Sequence, residues 1–402
     1  MTFIRGPFLS TIRLFYFILY AAMGSVIPFL TLFLERRGLS ATSIGFLITV
    51  NAAAGLVAAP LWGRVADRPG SGRGVLVFAL ILGIIGSLAA GWAAGLAVII
   101  AGIMVMRVAE DGITPLADGF SVGISRRSGS SWGFGGIRVF GSAGWIAAAP
   151  LAGLVAQKSN LSVLFLIYAL GLVLCLVILT GLKDFKEKKP YPEEESGGET
   201  GGIREILGHI SRNKALMGGA AALFIHGLFR QALFRFEPLY LDSLGISLTG
   251  IGIAGALPAV AELAAMPISG KLAGKHSYLY LLGGAFLLTA FRAALVWAFP
   301  IPWVILSTKM IDGVSYAAQM VGTVSLVSTL VPGGRFKTVL AIFSVSLIHI
   351  VTMIGGPAAG WIVDQAGVKP LFILALAGSI TGFIILITTR PRRSINSYTM
   401  IK

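Results

Sequence analysis

Residues 60–68 read PLWGRVADR and residues 267–275 read PISGKLAGK, two stretches set 207 positions apart. Residues 150–153 read PLAG and residues 357–360 read PAAG, at the same offset of 207. Two different motifs repeated at one spacing mark a duplicated unit. Around them the 402-residue chain holds apolar runs near 9–34, 41–63, 74–95, 97–123, 134–156, 162–182, 215–241, 248–270, 277–299, 302–331, 338–363 and 370–389, separated by short charged connections. A membrane-crossing helix takes about 20 apolar residues. The expected fold class is therefore an all-α polytopic membrane protein, with twelve transmembrane helices arranged as two pseudo-symmetric six-helix bundles. Parallel repeats of this kind are used by carriers whose site lies between the halves near the bilayer midplane.

Composition supports the membrane reading and removes several function classes. Hydrophobic residues make up 56% of the chain and charged residues 12%, against about 25% charged in soluble domains; the mean hydropathy is +0.86. Twelve spans leave no length for a soluble catalytic domain. The four histidines (His209, His226, His276, His349) are scattered, with no HExxH, and no GxxxxGK loop is present. Metal hydrolysis and direct ATP drive thus lack their motifs, and the reading is not an enzyme, with no cofactor beyond a proton gradient. Cys175, the one cysteine, sits in an apolar run and reads as a core thiol.

The net charge of +15 is explained by topology rather than by nucleic acid. With both ends on one side, that side collects 21 Lys and Arg residues and the other only Arg36, Arg37, Lys158 and Lys369. The positive-inside rule then puts both termini in the cytoplasm, in the plasma (inner) membrane. Residues 183–214 hold seven bases and seven acids and read as a cytoplasmic linker too polar to pack a core, with one short interfacial helix at 203–210. The expected division is 1–182, 183–214 and 215–402. The first run, although it follows Arg5 and Arg13, is too long for a cleaved signal and reads as a retained helix.

Thirteen charged residues fall inside the expected spans: Arg13, Arg107, Glu110, Asp111, Asp118, Arg138, Arg230, Arg235, Glu237, Glu262, Arg292, Lys309 and Asp312. At roughly 3 kcal/mol each, exposure to lipid would cost about 40 kcal/mol, more than a protein's whole stability of about 5–15 kcal/mol. Most must face one another or a watery path, while Arg13 and Glu237 are placed near helix ends, where they can snorkel. Arg107 with Asp111 and Lys309 with Asp312 stand at pairing distance on their own helices, as neutral structural pairs or as a proton relay or gate. Asp118, Arg138, Glu262 and Arg292 have no such neighbour and look to other helices or to a solute. Arg138, Ser142 and Trp145 fall at i, i+4 and i+7 along one helix face, a stripe suited either to a polar ring compound or to helix packing.

Residues 63–73, GRVADRPGSGR, resemble the cytoplasmic loop motif of the major facilitator superfamily between its second and third helices. The resemblance implies a latch of Gly63, Arg64, Asp67, Arg68 and Gly70 that holds the cytoplasmic side shut, with a weaker copy at 270–275. Residues 125–128, SRRS, and 132–145, WGFGGIRVFGSAGW, are similar to the oligosaccharide, nucleoside and phenylpropionate proton symporter (lactose-permease-like) branch. That resemblance implies solute contacts from Asp118, Arg138, Trp145 and Glu262, with Arg292 near the proton site; Ser142 joins the candidate solute contacts through its place in the fifth-helix stripe. The sequence departs from the branch on the tenth helix, where Ser315 replaces the proton-carrying acid and Asp312 a histidine. Glu262 or Asp312, opposite Arg292 or Lys309, is left to carry the proton. On the seventh helix His226, Arg230 and Arg235 replace an acid-rich pattern, which favours an anionic solute. The functional expectation is a monomeric, proton-coupled symporter of a small polar or aromatic organic solute (sugar, nucleoside or organic acid) working by alternating access. Export by proton antiport is the alternative.

Overall fold

The computed structural model describes residues 6–66, 68, 72–128, 135–181, 203–275, 277–331 and 333–390. Twelve long helical segments run through the described residues, with no strand among them. Helix α1 runs Gly6–Val26, tightens into a 3₁₀ turn at Ile27–Phe29 and continues over Leu30–Arg36. Pro28 causes the tightening, since it removes a backbone donor and crowds the preceding turn. Then follow α2 (Ala41–Ala66), α3 (Gly72–Trp92), α4 (Leu96–Ser128), α5 (Gly135–Lys158) and α6 (Val163–Gly181). The second set is α7 (Lys214–Ser243), α8 (Leu248–Ala273), α9 (Tyr278–Ala298) and α10 (Pro302–Leu330). It closes with α11, in which Gly333–Ala341 and Leu347–Ala366 flank a π-helical stretch at Ile342–Ser346, and α12 (Lys369–Thr388).

Ten of these are long and apolar enough to cross a membrane by length and composition. The two that fall short, α4 and α10, hold six of the thirteen charges expected within spans, and their neighbours shield them: α4 packs on α3 and α2, α10 on α8 and α9. Local signals set the ends. Asn213 accepts from the backbone of Ala215 and Leu216 at the start of α7, and Ser247 from Gly250 at the start of α8, as N-caps do. Gly38 and Gly245, again 207 apart, both take positive φ (89° and 73°) just beyond α1 and α7, where a side chain would strain the backbone. The short helix Ile203–Arg212 is not merely interfacial. Its Ile206 and Ile210 are buried in the second half's core, and Glu205 pairs with Arg335.

The duplication is visible in how the halves meet. A side-chain carbon on Gly45 would lie 2.2 Å from the Gly356 carbonyl oxygen, and one on Gly252 would lie 2.2 Å from that of Ala149. Likewise Gly360 abuts the Ala41 carbonyl at 2.2 Å and Gly153 that of Leu248 at 2.3 Å. These are α2–α11 and α5–α8 contacts, backbone against backbone, and each is the other's image at the 207-residue offset. Small residues permit this closeness between membrane helices. Two acceptors complete the seam: Asp364 takes the backbone N–H groups of Ala41 and Thr42, each at 2.8 Å, and Gln157 takes the Thr249 hydroxyl at 2.9 Å.

All of these contacts lie at the face away from the termini. At the other face, carbons on Gly63 and Gly270 would meet nothing within 4 Å, and Arg64 is exposed. Gly63, Arg64 and Arg68 of the expected GRVADR latch stand on this face, away from the seam. Asp67 and Gly70 lie outside the described residues. Gly252→Ala is expected to part α8 from α5, since a methyl group cannot displace backbone cheaply. The check is the rate at which an impermeant thiol reagent labels Thr249→Cys, which should rise in the Gly252→Ala protein.

Candidate functional site

Between the halves lies a cavity of about 490 Å³, walled by α1, α2, α4 and α5 on one side and by α7, α8, α9 and α10 on the other. Of the residues singled out in the sequence, Arg138, Ser142, Trp145, Glu262, Arg292, Lys309 and Asp312 all line it. Asp118 stands one step behind the wall. Its carboxylate lies 3.6 Å from Arg138 Nη1 and accepts from the Tyr16 hydroxyl at 2.6 Å. Arg138 in turn donates to Tyr20 at 2.9 Å, with its guanidinium 5.6 Å from the Tyr20 ring centre. Tyr16 and Tyr20 stack on one face of α1, so the two phenols brace the acid and the arginine, with Tyr16 on Asp118 and Tyr20 on Arg138. Sequence reasoning passed over both tyrosines. Their i, i+4 spacing was the available signal.

Trp145 reaches the wall, but its indole N–H donates across the halves to the Gly255 carbonyl on α8 at 2.9 Å. Its ring also backs onto Gly24 of α1. The expected stacking platform is therefore also an inter-half tie, with its one polar group already engaged.

The opposite wall carries a quartet that the sequence resolved only in part. Glu237, placed above near a helix end, is instead 1% exposed. It binds Lys309 Nζ at 2.6 Å and also pairs with Arg292. Asp312 lies 3.3 Å from Arg292 Nη1 and 3.8 Å from Lys309 Nζ. Two cations and two carboxylates thus cancel within a site where a lone charge would be strongly disfavoured. They also join α7, α9 and α10. Ser315 cannot take the place of a proton carrier: it is fully buried and bonded to Thr289 and to the Ala285 carbonyl.

Glu262 lines the cavity with Arg292 and Lys309 but forms no ion pair with either. Arg138 and Arg230 are the cations within its electrostatic reach, and no cation among the described residues comes within 4.0 Å of it. Arg230 stands over the Tyr316 ring, 5.6 Å from its centre. One guanidinium from each half therefore shares the cavity with a carboxylate that neither pins. His226, counted among the basic changes of the seventh helix, lies away from the cavity, stacked on Phe286 and bonded to Ser379. Arg107, expected to pair with Asp111, pairs instead with Glu110.

Twelve helices in two repeats around a charged central cavity define a solute carrier of the major facilitator type, not an enzyme. The profile of the MFS_1 like family matches residues 9–374, and the chain belongs to that family. It is similar to the maltose permease of Geobacillus stearothermophilus, 24% identical over 94% of both chains. It is 26% identical to the multidrug resistance protein MdtG of Escherichia coli over 64% of this chain and 63% of that one. Among solved structures, a point mutant of the nucleoside transporter NupG superposes with a TM-score of 0.80 at 14% identity, covering 95% of this chain and all of that one. A bacterial homologue of the lysosomal transporter Spinster, inward-facing and unoccupied, gives 0.68 at 14% identity over 95% of this chain and 94% of that one.

Proposed function

We propose that this protein is a proton-coupled symporter of a small anionic organic solute, polar or aromatic, working by alternating access. The observation that carries the proposal is that Glu262 lines the cavity together with Arg138 of one half and Arg230 of the other, the two cations that act on it electrostatically. A solute carboxylate or phosphate that bridges the two guanidiniums comes up against the Glu262 carboxylate, and like charges at such range repel. Protonating Glu262 removes that repulsion. Proton and anion then bind as a set, and the loaded site draws the halves together around it. Tyr20, Tyr316 and the face of Trp145 offer aromatic surface to the rest of the solute. The quartet behind them keeps its internal neutrality and holds the wall in place.

In this reading the protein is a monomer in the plasma (inner) membrane with both termini cytoplasmic, divided as 1–182, 183–214 and 215–402, and the structure is its cytoplasm-open form. The charge balance of the loops and the seam at the opposite face support that assignment. Export by antiport is the second reading, favoured by the likeness to a multidrug resistance protein; there a cationic drug and the proton compete for Glu262.

The test is reconstitution into liposomes containing a pH dye, challenged from outside with sugars, nucleosides and aromatic carboxylates. Symport predicts lumen acidification on solute addition, and antiport predicts alkalinisation. Glu262→Gln is expected to retain solute exchange across the membrane while losing solute-driven proton movement. If Asp312→Asn shows that split instead, Glu262 is not the proton carrier.

A further inference from the structure

Arg235 of α7 lines the same cavity, and the proposal above does not use it. It is half-buried, its Nε is sealed without a hydrogen-bond partner, and no carboxylate among the described residues lies within 4.0 Å of it. Arg138, Arg292 and Lys309, which line the cavity too, each have a carboxylate inside that distance. Of the two acids within electrostatic reach of Arg235, Glu110 is bonded to Arg107 and Asp111 stands beyond ion-pair distance.

Asn51 of α2 lines the cavity as well, and its Oδ1 is buried without a partner. The 207-residue repeat relates Arg235 to Pro28 and Asn51 to Pro258. A side-chain carbon on Gly255 of α8, one turn before Pro258, would lie 3.0 Å from Pro28. The equivalent approach sets Arg235 against Ile48, one turn before Asn51, and Ile48 also lines the cavity. Arg230 serves a different place. It lies five residues back on α7, about 7.5 Å along the helix axis, where it stands over Tyr316 of α10 and acts on Glu262. The cavity therefore offers guanidinium donors at two separated points, one toward α5, α8 and α10 and the other toward α2.

We propose that Arg235, assisted by Asn51, is a second anion subsite, and that the solute is a dianion with an acidic group at each end of a short body, as in a dicarboxylate. The inference rests on the reading that Arg138 and Arg230 hold the first acidic group. A cation sealed at Nε and left without a carboxylate is unfavourable. A solute carboxylate answers it with paired, charge-assisted hydrogen bonds that a sugar hydroxyl does not match. The Asn51 amide, turned over, adds its NH2 group to the same anion. A monocarboxylate held at the first subsite leaves Arg235 as it stands, so the difference between one-acid and two-acid solutes is read at this residue.

The experiment titrates the full-length protein in nanodiscs, carrying Glu262→Gln so that proton coupling plays no part, with short straight-chain dicarboxylates and with monocarboxylates of the same chain lengths. Calorimetry reads the affinities near neutral pH, where the acids are ionised. The best dicarboxylate is expected to bind at least about tenfold tighter than its one-acid counterpart, the worth of a charge-assisted hydrogen bond. Arg235→Gln should abolish that advantage and leave the monocarboxylate affinity within about twofold. Asn51→Ala should reduce the advantage, and it keeps the test open if the arginine variant does not fold. Thermal unfolding without solute separates a ligand role from a structural one: Arg235→Gln should be no less stable than its parent, because no ion pair is lost. Equal binding of the two series, or a variant that weakens both alike, would overturn the proposal. If neither series binds, or monocarboxylate binding ignores Arg138→Ala, the first subsite has failed and the two-ended solute falls with it.

Discussion

Glu237→Ala is expected to cost about 3–5 kcal/mol of stability, the usual penalty for leaving a buried charge without its partner, and to abolish transport. The magnitude follows from what remains. Arg292 is 2% exposed and Lys309 6% exposed; with Glu237 gone they share Asp312 alone, and one positive charge is left uncompensated among α7, α9 and α10. The measurement is thermal or denaturant unfolding of the purified protein, with solute uptake in liposomes alongside. Adding Lys309→Met to Glu237→Ala removes the orphaned cation and should recover a large part of the loss. A Glu237→Ala protein as stable as wild type would show that the quartet does not hold this wall together.

The second large effect is expected at Arg138. Arg138→Ala should abolish solute-driven proton movement while leaving the fold intact, because its side chain is 45% exposed to the cavity and its partners are not orphaned in a sealed core. Asp118 keeps the Tyr16 hydroxyl at 2.6 Å, and Tyr20 keeps its stacking on Tyr16. Arg138→Lys is not expected to rescue. A single ammonium cannot reproduce the planar fork that donates to Tyr20, faces Asp118 and still presents donors to an anion. The check is the liposome assay together with size-exclusion behaviour of the variant. Undiminished solute-driven proton flux in Arg138→Ala would remove the N-terminal half from the proposed binding site and with it the argument for an anion bridging both halves.

Both predictions turn on residues whose type was visible in the sequence and whose partners were not. The positions of the charges in the spans were legible because charge in an apolar run is conspicuous. Pairing was legible only within a helix, where three- and four-residue spacing brings side chains together. Lys309 and Asp312 were matched on that basis, yet Lys309 makes its shorter contact with Glu237, 72 residues away. Arg107 chose Glu110 over Asp111, because both spacings satisfy the helix and only the surroundings select between them. Glu237 was misread because its place along α7 says nothing about which face of the helix it occupies, and the tyrosines of α1 were missed because stacked phenols look like ordinary apolar surface until an acid and an arginine are set against them.

Hydropathy by itself marks ten of the twelve long helices as membrane-crossing, since a helix that must satisfy its own backbone in lipid needs an apolar run of known length, and the 207-residue repeat determined that they form two like halves. The repeat even carries the seam, through Gly45 and Gly252, Gly153 and Gly360. What only the tertiary structure decided is which face the halves close on and which charges meet across them. Those contacts join residues more than ninety positions apart, and no local spacing encodes them; they depend on how each helix is rotated and on the small energy differences between rival packings of the same apolar surfaces.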